Sequence, residues 1–313
     1  MAISYAMPSD VAPAPAPSLR TPLPRPVVFD LRDRSGTGLA RVATETVAAW
    51  QRCFPDDPVR LLTEGGGRYS LRAQWEWRTL RRRYPDATWV WFHWDIPWFD
   101  VPQRSVVYVH DRIHAAESRW PRRALAERWI AHALRCAGAL VTVSEATARL
   151  LPPGAVVIPN GVTLPTTTWH PRDYLLTVGE PRAYKNFSMA SRVAAALGMA
   201  HRHAWRVTEQ ELATLYAEAR VVLVPSRAEG FGLPLLEAFA VGAPVVASDI
   251  PALVEVSGGL ATHVAPDDVE GWCRAVRAAW DAPGDPLVRQ ARAREFRWER
   301  AARQLRDVVR SLG

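Results

Sequence analysis

The densest chemistry in the chain lies in Pro225-Ser226-Arg227-Ala228-Glu229-Gly230-Phe231-Gly232-Leu233-Pro234-Leu235-Leu236-Glu237-Ala238. Two carboxylates bracket a pair of glycines. An apolar run ends at Val224. A helical pattern starts at Leu233, with Pro234 in the first turn, where its missing N–H is not needed. Glycines let the backbone come close to a ligand, and a helix N-terminus offers unpaired N–H groups and positive potential. Such a turn suits an anion, phosphate above all. Glu237 is the only charge in the apolar helical stretch 233–241. Its burial is costly without donors. Hydroxyls of a bound ligand can supply them, or the acid can sit in the first turn, where the helix dipole favours it.

Other residues of chemical interest lie outside that segment. Lys185 is the only lysine among 39 basic residues, and Asn160 and Asn186 are the only asparagines. A coding bias against both types explains the scarcity, so the places that keep them draw interest. Lys185 ends Val178-Gly179-Glu180-Pro181-Arg182-Ala183-Tyr184-Lys185, behind an apolar run, and its ammonium is a compact charge suited to phosphate. Asn186 reads as the cap of the next helix. A second glycine turn, Ser35-Gly36-Thr37-Gly38-Leu39-Ala40-Arg41, follows the apolar run 26–31. Tyr108-Val109-His110-Asp111 and Phe92-His93-Trp94-Asp95 each end a strand-like run with polar side chains. Taken alone, His110 is explained by a structural hydrogen bond, and the second group by aromatic packing. Ser144 reads as a helix cap and Asn160-Gly161 as a tight turn.

These residues need elements to hold them. Short β-branched or aromatic runs at 26–31, 58–62, 88–92, 105–109 and 139–143 read as strands. Helical patterns at 38–53, 70–83, 121–136 and 145–151 separate most of them. That alternation predicts a parallel sheet covered on both faces. The proline-rich segment 152–171 reads as strand, turn and linker. A second set follows: strand 174–178, helices 186–197 and 209–219, strand 220–224, helix 233–241, strand 244–247, strand 261–264 and helix 268–281. Residues 285–312 read as one basic amphipathic helical tail. Two doubly wound α/β domains facing each other across a cleft result, with ligands expected beyond the carboxyl ends of the strands. The expected division is a Pro/Ala-rich disordered tail 1–26, a first domain 27–165, a second domain 166–284 and a returning helix 285–313.

The paired glutamates around Gly-Phe-Gly-Leu-Pro, with Gly242-Ala243-Pro244-Val245-Val246-Ala247-Ser248-Asp249 beyond them, resemble the motif of retaining glycosyltransferases of family 4. The resemblance runs over about residues 27–313. It implies the GT-B fold of two facing Rossmann-like domains. It also implies a nucleotide-diphosphate sugar as donor, bound by the second domain, and an acceptor, glycan or lipid-linked, entering from the first. By that resemblance Glu229 contacts the donor sugar, and Glu237 the nucleotide ribose. The backbone of Gly230, Phe231, Gly232 and Leu233 lies against sugar and phosphate. Lys185, with Arg182 as companion, neutralises the diphosphate. Gly38 faces the phosphates across the cleft, and His110 stands by the transferred sugar. The resemblance assigns Glu229, His110 and Lys185 to catalysis. The group His93–Asp95 is expected in the acceptor pocket. Phe296-Arg297-Trp298-Glu299 and the helix after it resemble the tail that packs back across both domains. No metal or other cofactor is implied, and no Asp-x-Asp pair occurs.

Only 43 residues separate Lys185 from Glu229. The basic stretch 197–206 is too short for another strand–helix–strand passage, so the second domain is expected to lack about one βα unit. Three cysteines, Cys53, Cys136 and Cys273, are far apart and form no CxxC pair, which disfavours a disulfide framework and a cysteine zinc site. The chain carries 39 basic and 32 acidic residues, a net +7 that favours anionic partners. Arg81-Arg82-Arg83 and the run Arg112–Arg135, with Arg119-Trp120-Pro121-Arg122-Arg123, either face an anionic membrane or form a solvated face. No nucleic-acid module is present, so that class is set aside. A cytoplasmic protein, peripheral at the inner membrane face, is expected. Other readings are a donor-binding or assembly subunit with weak or no activity, and a GT-B epimerase or phosphorylase.

Overall fold

The computed structural model describes residues 21–32, 38–65, 70–113 and 122–313. Most of the expected tail 1–26, together with Ser35-Gly36-Thr37 and Arg119-Trp120-Pro121, lies outside them. The first sheet is built from β1 (Val27–Asp30), β2 (Val59–Leu62), β3 (Thr88–Trp91), β4 (Ser105–Tyr108), β5 (Ala139–Thr142) and β6 (Val156–Val157). Its order is β2-β1-β3-β4-β5-β6, with every pair parallel. β3 and β4 are buried at every residue, which is why they read as unbroken apolar runs rather than alternating ones. Helices α1 (Gly38–Cys53), α2 (Leu71–Arg83), α3 (Arg122–Cys136) and the short α4 (Glu145–Ala148) follow or separate these strands. Ser144 caps α4 as expected, accepting from the Thr147 N–H at 3.1 Å. That helix stops at Ala148, three residues short of the expected end.

The second sheet contains β7 (Arg172–Val178), β8 (Ala200–Ala204), β9 (Ala219–Val224), β10 (Val245–Ser248) and β11 (Thr262–Val264), in the parallel order β11-β10-β9-β7-β8. Helices α5 (Phe187–Leu197), α6 (Glu209–Glu218), α7 (Leu233–Val241), α8 (Pro251–Ser257) and α9 (Val269–Asp281) cover it. Relative to the six-stranded dinucleotide-binding arrangement, this sheet lacks the strand outside β8, in keeping with a loss of one βα unit. The stretch 197–206 nevertheless contains β8, which the sequence reading left out. Ala-His-Arg-His-Ala has no β-branched residue, and its strand conformation comes from five pairings with β7. The seven-residue α8 was also not expected.

The chain order changes direction between β1 and β3 in the first sheet, and between β7 and β9 in the second. Ligands bind at such switch points, beyond the carboxyl ends of the strands. The loops there carry Gly38, His93, Lys185 and Glu229.

The tail is two helices, α10 (Pro286–Arg294) and α11 (Trp298–Ser311), not one. Between them the Phe296 carbonyl accepts the Val162 N–H at 3.0 Å, and Arg297 is extended. α10 packs on α7, and α11 returns to α1. The α11 contact is fixed by a buried ion pair in which the Arg306 Nε and Nη2 donate to the Asp57 carboxylate, each at 2.7 Å. Asp57 also accepts the Leu23 N–H, so neither charge is buried without partners. Gly161 belongs to this junction rather than to a tight turn. A Cβ there would lie 2.3 Å from the Trp298 backbone nitrogen.

Candidate functional site

The loop after β7 winds into one 3₁₀ turn, Ala183–Lys185, and places Lys185 against the turn that follows β9. The Lys185 Nζ donates to Glu229 Oε1 at 2.6 Å, and the Ser226 hydroxyl donates to the same oxygen at 2.7 Å. The two charged side chains keep 13% and 9% of their exposure, so water screens the pair weakly. Burial pushes the Lys185 ammonium down. The Glu229 carboxylate, with Tyr184 and Asp111 behind it, pushes it back up, and the result lies above the ordinary lysine value. Nζ also sits 5.4 Å from the centre of the Tyr184 ring. A 2.7 Å hydrogen bond from the Arg227 N–H to the Tyr184 carbonyl ties the two loops together. Arg182 shares the turn, but its guanidinium is exposed and pairs with Glu180 at 2.8 Å. Asn186 does not cap α5 with its side chain. It has φ 51°, and its Nδ2 donates to the Pro266 carbonyl.

Glu229 leads directly into the glycine turn and α7. Gly232, at φ 107°, stands at the N-cap, where a side chain would be strained, and no side chain caps the helix. Pro234 has no N–H, and the Leu235 and Leu236 N–H groups bond the Gly232 carbonyl at 3.0 and 3.4 Å, which leaves the Leu233 N–H as the first-turn amide without a helical acceptor. Gly230 has a different use. A Cβ there would sit 2.0 Å from the His110 carbonyl oxygen, so the second domain touches the first backbone to backbone at this point. The Ser144 hydroxyl clamps the contact by donating to the Gly230 carbonyl at 2.7 Å. Phe231 is buried and meets Phe296 of the tail edge to face, 5.8 Å between centres. Leu233 is partly buried against the core.

His110 is buried at the end of β4, with its ring on that of Tyr108. Its Nε2 lies 3.0 Å from the Phe92 carbonyl, which can only accept, so Nε2 carries the proton. Asp111, its neighbour, acts on Lys185 from across the cleft. Gly38 opens α1 and is exposed; a Cβ there would touch nothing. His93 and Asp95 pair beyond β3; burial lowers the Arg32 guanidinium nearby, but its bond to Asp30, helped by Asp95, raises it overall.

Glu237 lies in the second turn of α7, not the first, and its donors come from the protein. Arg41, from the first turn of α1, forms an ion pair with Oε1, and the Tyr216 hydroxyl donates to Oε2 at 2.6 Å. Burial lowers the Arg41 guanidinium, but Glu237 and its neighbours raise it overall. Burial and Glu237 together hold the Tyr216 phenol well above its usual range. Sequence reasoning missed both partners. The only signal was that Arg41 closes the first glycine segment. Among the described residues, no group of three or more His, Cys, Asp or Glu is placed to hold a metal ion.

The structure therefore brings together Lys185, Glu229 and Ser226 within the second domain, and joins across the cleft Gly230 with His110, and Glu237 and Tyr216 with Arg41. It turns the Arg182 side chain to Glu180.

Residues 169–282 match the family model described as glycosyl transferases group 1. Over 115 residues the chain is 36% identical to O-antigen chain mannosyltransferase B of Escherichia coli, covering 36% of this chain and 30% of that protein. It is 39% identical over 107 residues to the MMP alpha-(1->4)-mannosyltransferase of Mycolicibacterium hassiacum, covering 31% and 26%. The chain thus aligns with under a third of the length of these curated relatives. The fold extends much further. Sucrose-phosphate synthase from Thermosynechococcus elongatus superimposes with a TM-score of 0.72 at 16% identity, over 92% of this chain and 99% of that one. AviGT4, a glycosyltransferase involved in avilamycin A biosynthesis, gives 0.65 at 17%, over 92% and 98%. The architecture is GT-B.

Proposed function

Taking as premise the GT-B fold and a second domain matching the glycosyl transferases group 1 family, we propose that this chain moves a sugar from a nucleotide-diphosphate sugar to an acceptor hydroxyl. The observation that carries the reading is Lys185, held by Glu229 in the glycine turn that leads into α7. An ammonium has three N–H groups and Glu229 takes one, leaving two for diphosphate oxygens. Departure of the nucleotide diphosphate leaves negative charge, and Lys185 with the backbone amides of the glycine turn up to Leu233 stabilises it without reorganisation. The ribose hydroxyls meet Glu237, where Arg41 and Tyr216 already hold the carboxylate in place. Positive charge builds on the sugar ring. The acceptor enters from the first domain and attacks the face that the diphosphate leaves, with retention. His110, with its Nε2 proton held by the Phe92 carbonyl, orients the sugar, and no base role is assigned to it. Positive charge at the diphosphate comes from protein groups, so the reaction is proposed to be metal-independent.

The lost βα unit favours a second reading, a donor-binding or assembly subunit. A panel of nucleotide sugars, with nucleoside diphosphate release followed by mass spectrometry, separates the two. Turnover with an acceptor supports the transferase. Tight binding of a donor without turnover supports the subunit, and interconversion of donor sugars without an acceptor supports an epimerase.

A further inference from the structure

The first domain exposes large apolar side chains where its folding has no use for them. On α2, Leu71 and Trp75 are 82% and 69% exposed, and Phe99, in the loop after β3, is 74% exposed. Leu71 and Trp75 are one helical turn apart on the same face. Arg78 and Arg82 continue that face, and Arg78 lies over the Trp75 ring. Phe99 is not on a loose loop. The Trp98 N–H donates to Gln74 Oε1 at 2.9 Å, and the Phe99 carbonyl accepts from Trp77 Nε1 at 3.0 Å. On the other side the Ile96 and Pro97 carbonyls accept from Trp129 and His132 of α3. The loop therefore rides rigidly on the turn of α2 that carries Trp75 and holds its phenyl ring out into water. Apolar side chains fixed in this way mark a contact surface.

Charge says what the surface meets. α2 holds five arginines and one acid, Glu76, which pairs with Arg72 at 2.7 Å. Asp100, beside Phe99, and Asp86, three residues past α2, are exposed acids. Guanidinium groups bind phosphate, and tryptophan, phenylalanine and leucine favour the boundary between headgroups and acyl chains.

We propose that the face formed by Leu71, Trp75, Phe99, Arg72, Arg78 and Arg82 docks on an anionic lipid bilayer. The loop that presents Phe99 also carries His93 and Asp95 at the carboxyl end of β3, so docking places the acceptor side of the cleft at the bilayer surface. Resting on the transferase reading, the acceptor class is then a lipid-anchored one, whose polar head reaches the cleft while its tail stays in the membrane.

The test is flotation of the full chain with phosphatidylcholine vesicles, with and without phosphatidylglycerol. Wild type is expected to float with the anionic vesicles and much less with phosphatidylcholine alone. The double variant Trp75→Ser/Phe99→Ser is expected to lose at least about tenfold in partitioning, since its apolar anchors are gone. Arg72→Gln/Arg78→Gln/Arg82→Gln is expected to abolish the preference for phosphatidylglycerol and its weakening by salt. Leu287→Ser, at a 65% exposed leucine of tail helix α10, is expected to float as wild type. Wild type that stays with the soluble fraction, or a double variant that floats as well as wild type, overturns the proposal. So does a lipid-free dimer, seen by sedimentation, that the double variant dissociates, because the face would then belong to a second copy. Flotation needs no donor and no turnover. A chain that floats but transfers nothing refutes the transferase reading and leaves the docking surface standing.

Discussion

Replacing Lys185 by methionine separates two jobs that the structure gives one side chain. The ammonium compensates Glu229, and it presents its remaining N–H groups to the donor diphosphate. Loss of the first job is a stability effect. Removing one partner of a buried pair costs about 3–5 kcal/mol, and the slight exposure at this site lowers the expectation to about 2–3 kcal/mol. Loss of the second is a binding effect of about 1.5–3 kcal/mol, the range for hydrogen bonds to charged groups, or roughly ten- to hundredfold in donor affinity. The double variant Lys185→Met/Glu229→Gln tells them apart. An amide carries no charge to be stranded, so the double variant is expected to recover at least about half of the lost stability. Affinity for the nucleoside diphosphate should stay low. Urea unfolding reads the first quantity and titration calorimetry the second. If the double variant regains both stability and diphosphate affinity, Lys185 serves only to balance Glu229 and the placement of the diphosphate is wrong.

Four further outcomes follow from the same geometry. The folded Lys185 ammonium lies above its ordinary value, so its contribution to stability is full below the unfolded pKa and declines as pH rises through the folded one. The urea-stability gap between wild type and Lys185→Met should therefore be constant through neutral pH and shrink only above about pH 10.4. Gly230→Ala should destabilise the chain by about 3 kcal/mol, because its Cβ meets the His110 carbonyl. Gly38→Ala meets nothing and should fold at least as stably as wild type, yet lose roughly tenfold in donor affinity if phosphates pass close to that backbone; denaturation and nucleotide titration check both. Chelators should leave transfer unchanged, since Lys185 and the amides of the glycine turn before α7 supply the positive charge. Loss in EDTA that Mg²⁺ or Mn²⁺ restores would contradict this.

What could be read from the sequence had local causes. β3, β4 and β9 are buried on both faces and announce themselves as apolar runs. The Gly230–Gly232 turn and Pro234 mark the start of α7 wherever it packs. β8 was missed because its strand conformation comes from β7 and not from Ala-His-Arg-His-Ala. The tail was read as one helix because the break at Glu295–Arg297 is made by a hydrogen bond to Val162, distant in sequence. The site divided in the same way. Lys185 and Glu229 were visible as types in a motif, and their contact fits it. The donors to Glu237 were not visible, because Arg41 lies 196 residues away and only the closing of the two domains brings it there. Gly230 reads as a residue that admits a ligand, and the structure shows that it admits the His110 backbone. Asn186 carries the residue type of a cap but adopts a left-handed backbone, and its side chain reaches Pro266 instead.

The most direct test of the central claim is transfer itself, measured with wild type and Glu229→Gln side by side. Isotopically labelled nucleotide sugars are incubated with lipid-linked and soluble glycan acceptors, and the products are weighed. The expected result is a labelled sugar on an acceptor, with one nucleoside diphosphate released for each. The rate should fall at least about tenfold in Glu229→Gln, a barrier rise of about 1.4 kcal/mol or more. A folded Glu229→Gln variant that transfers as fast as wild type, or a wild type that releases no diphosphate with any donor and acceptor, would contradict the account.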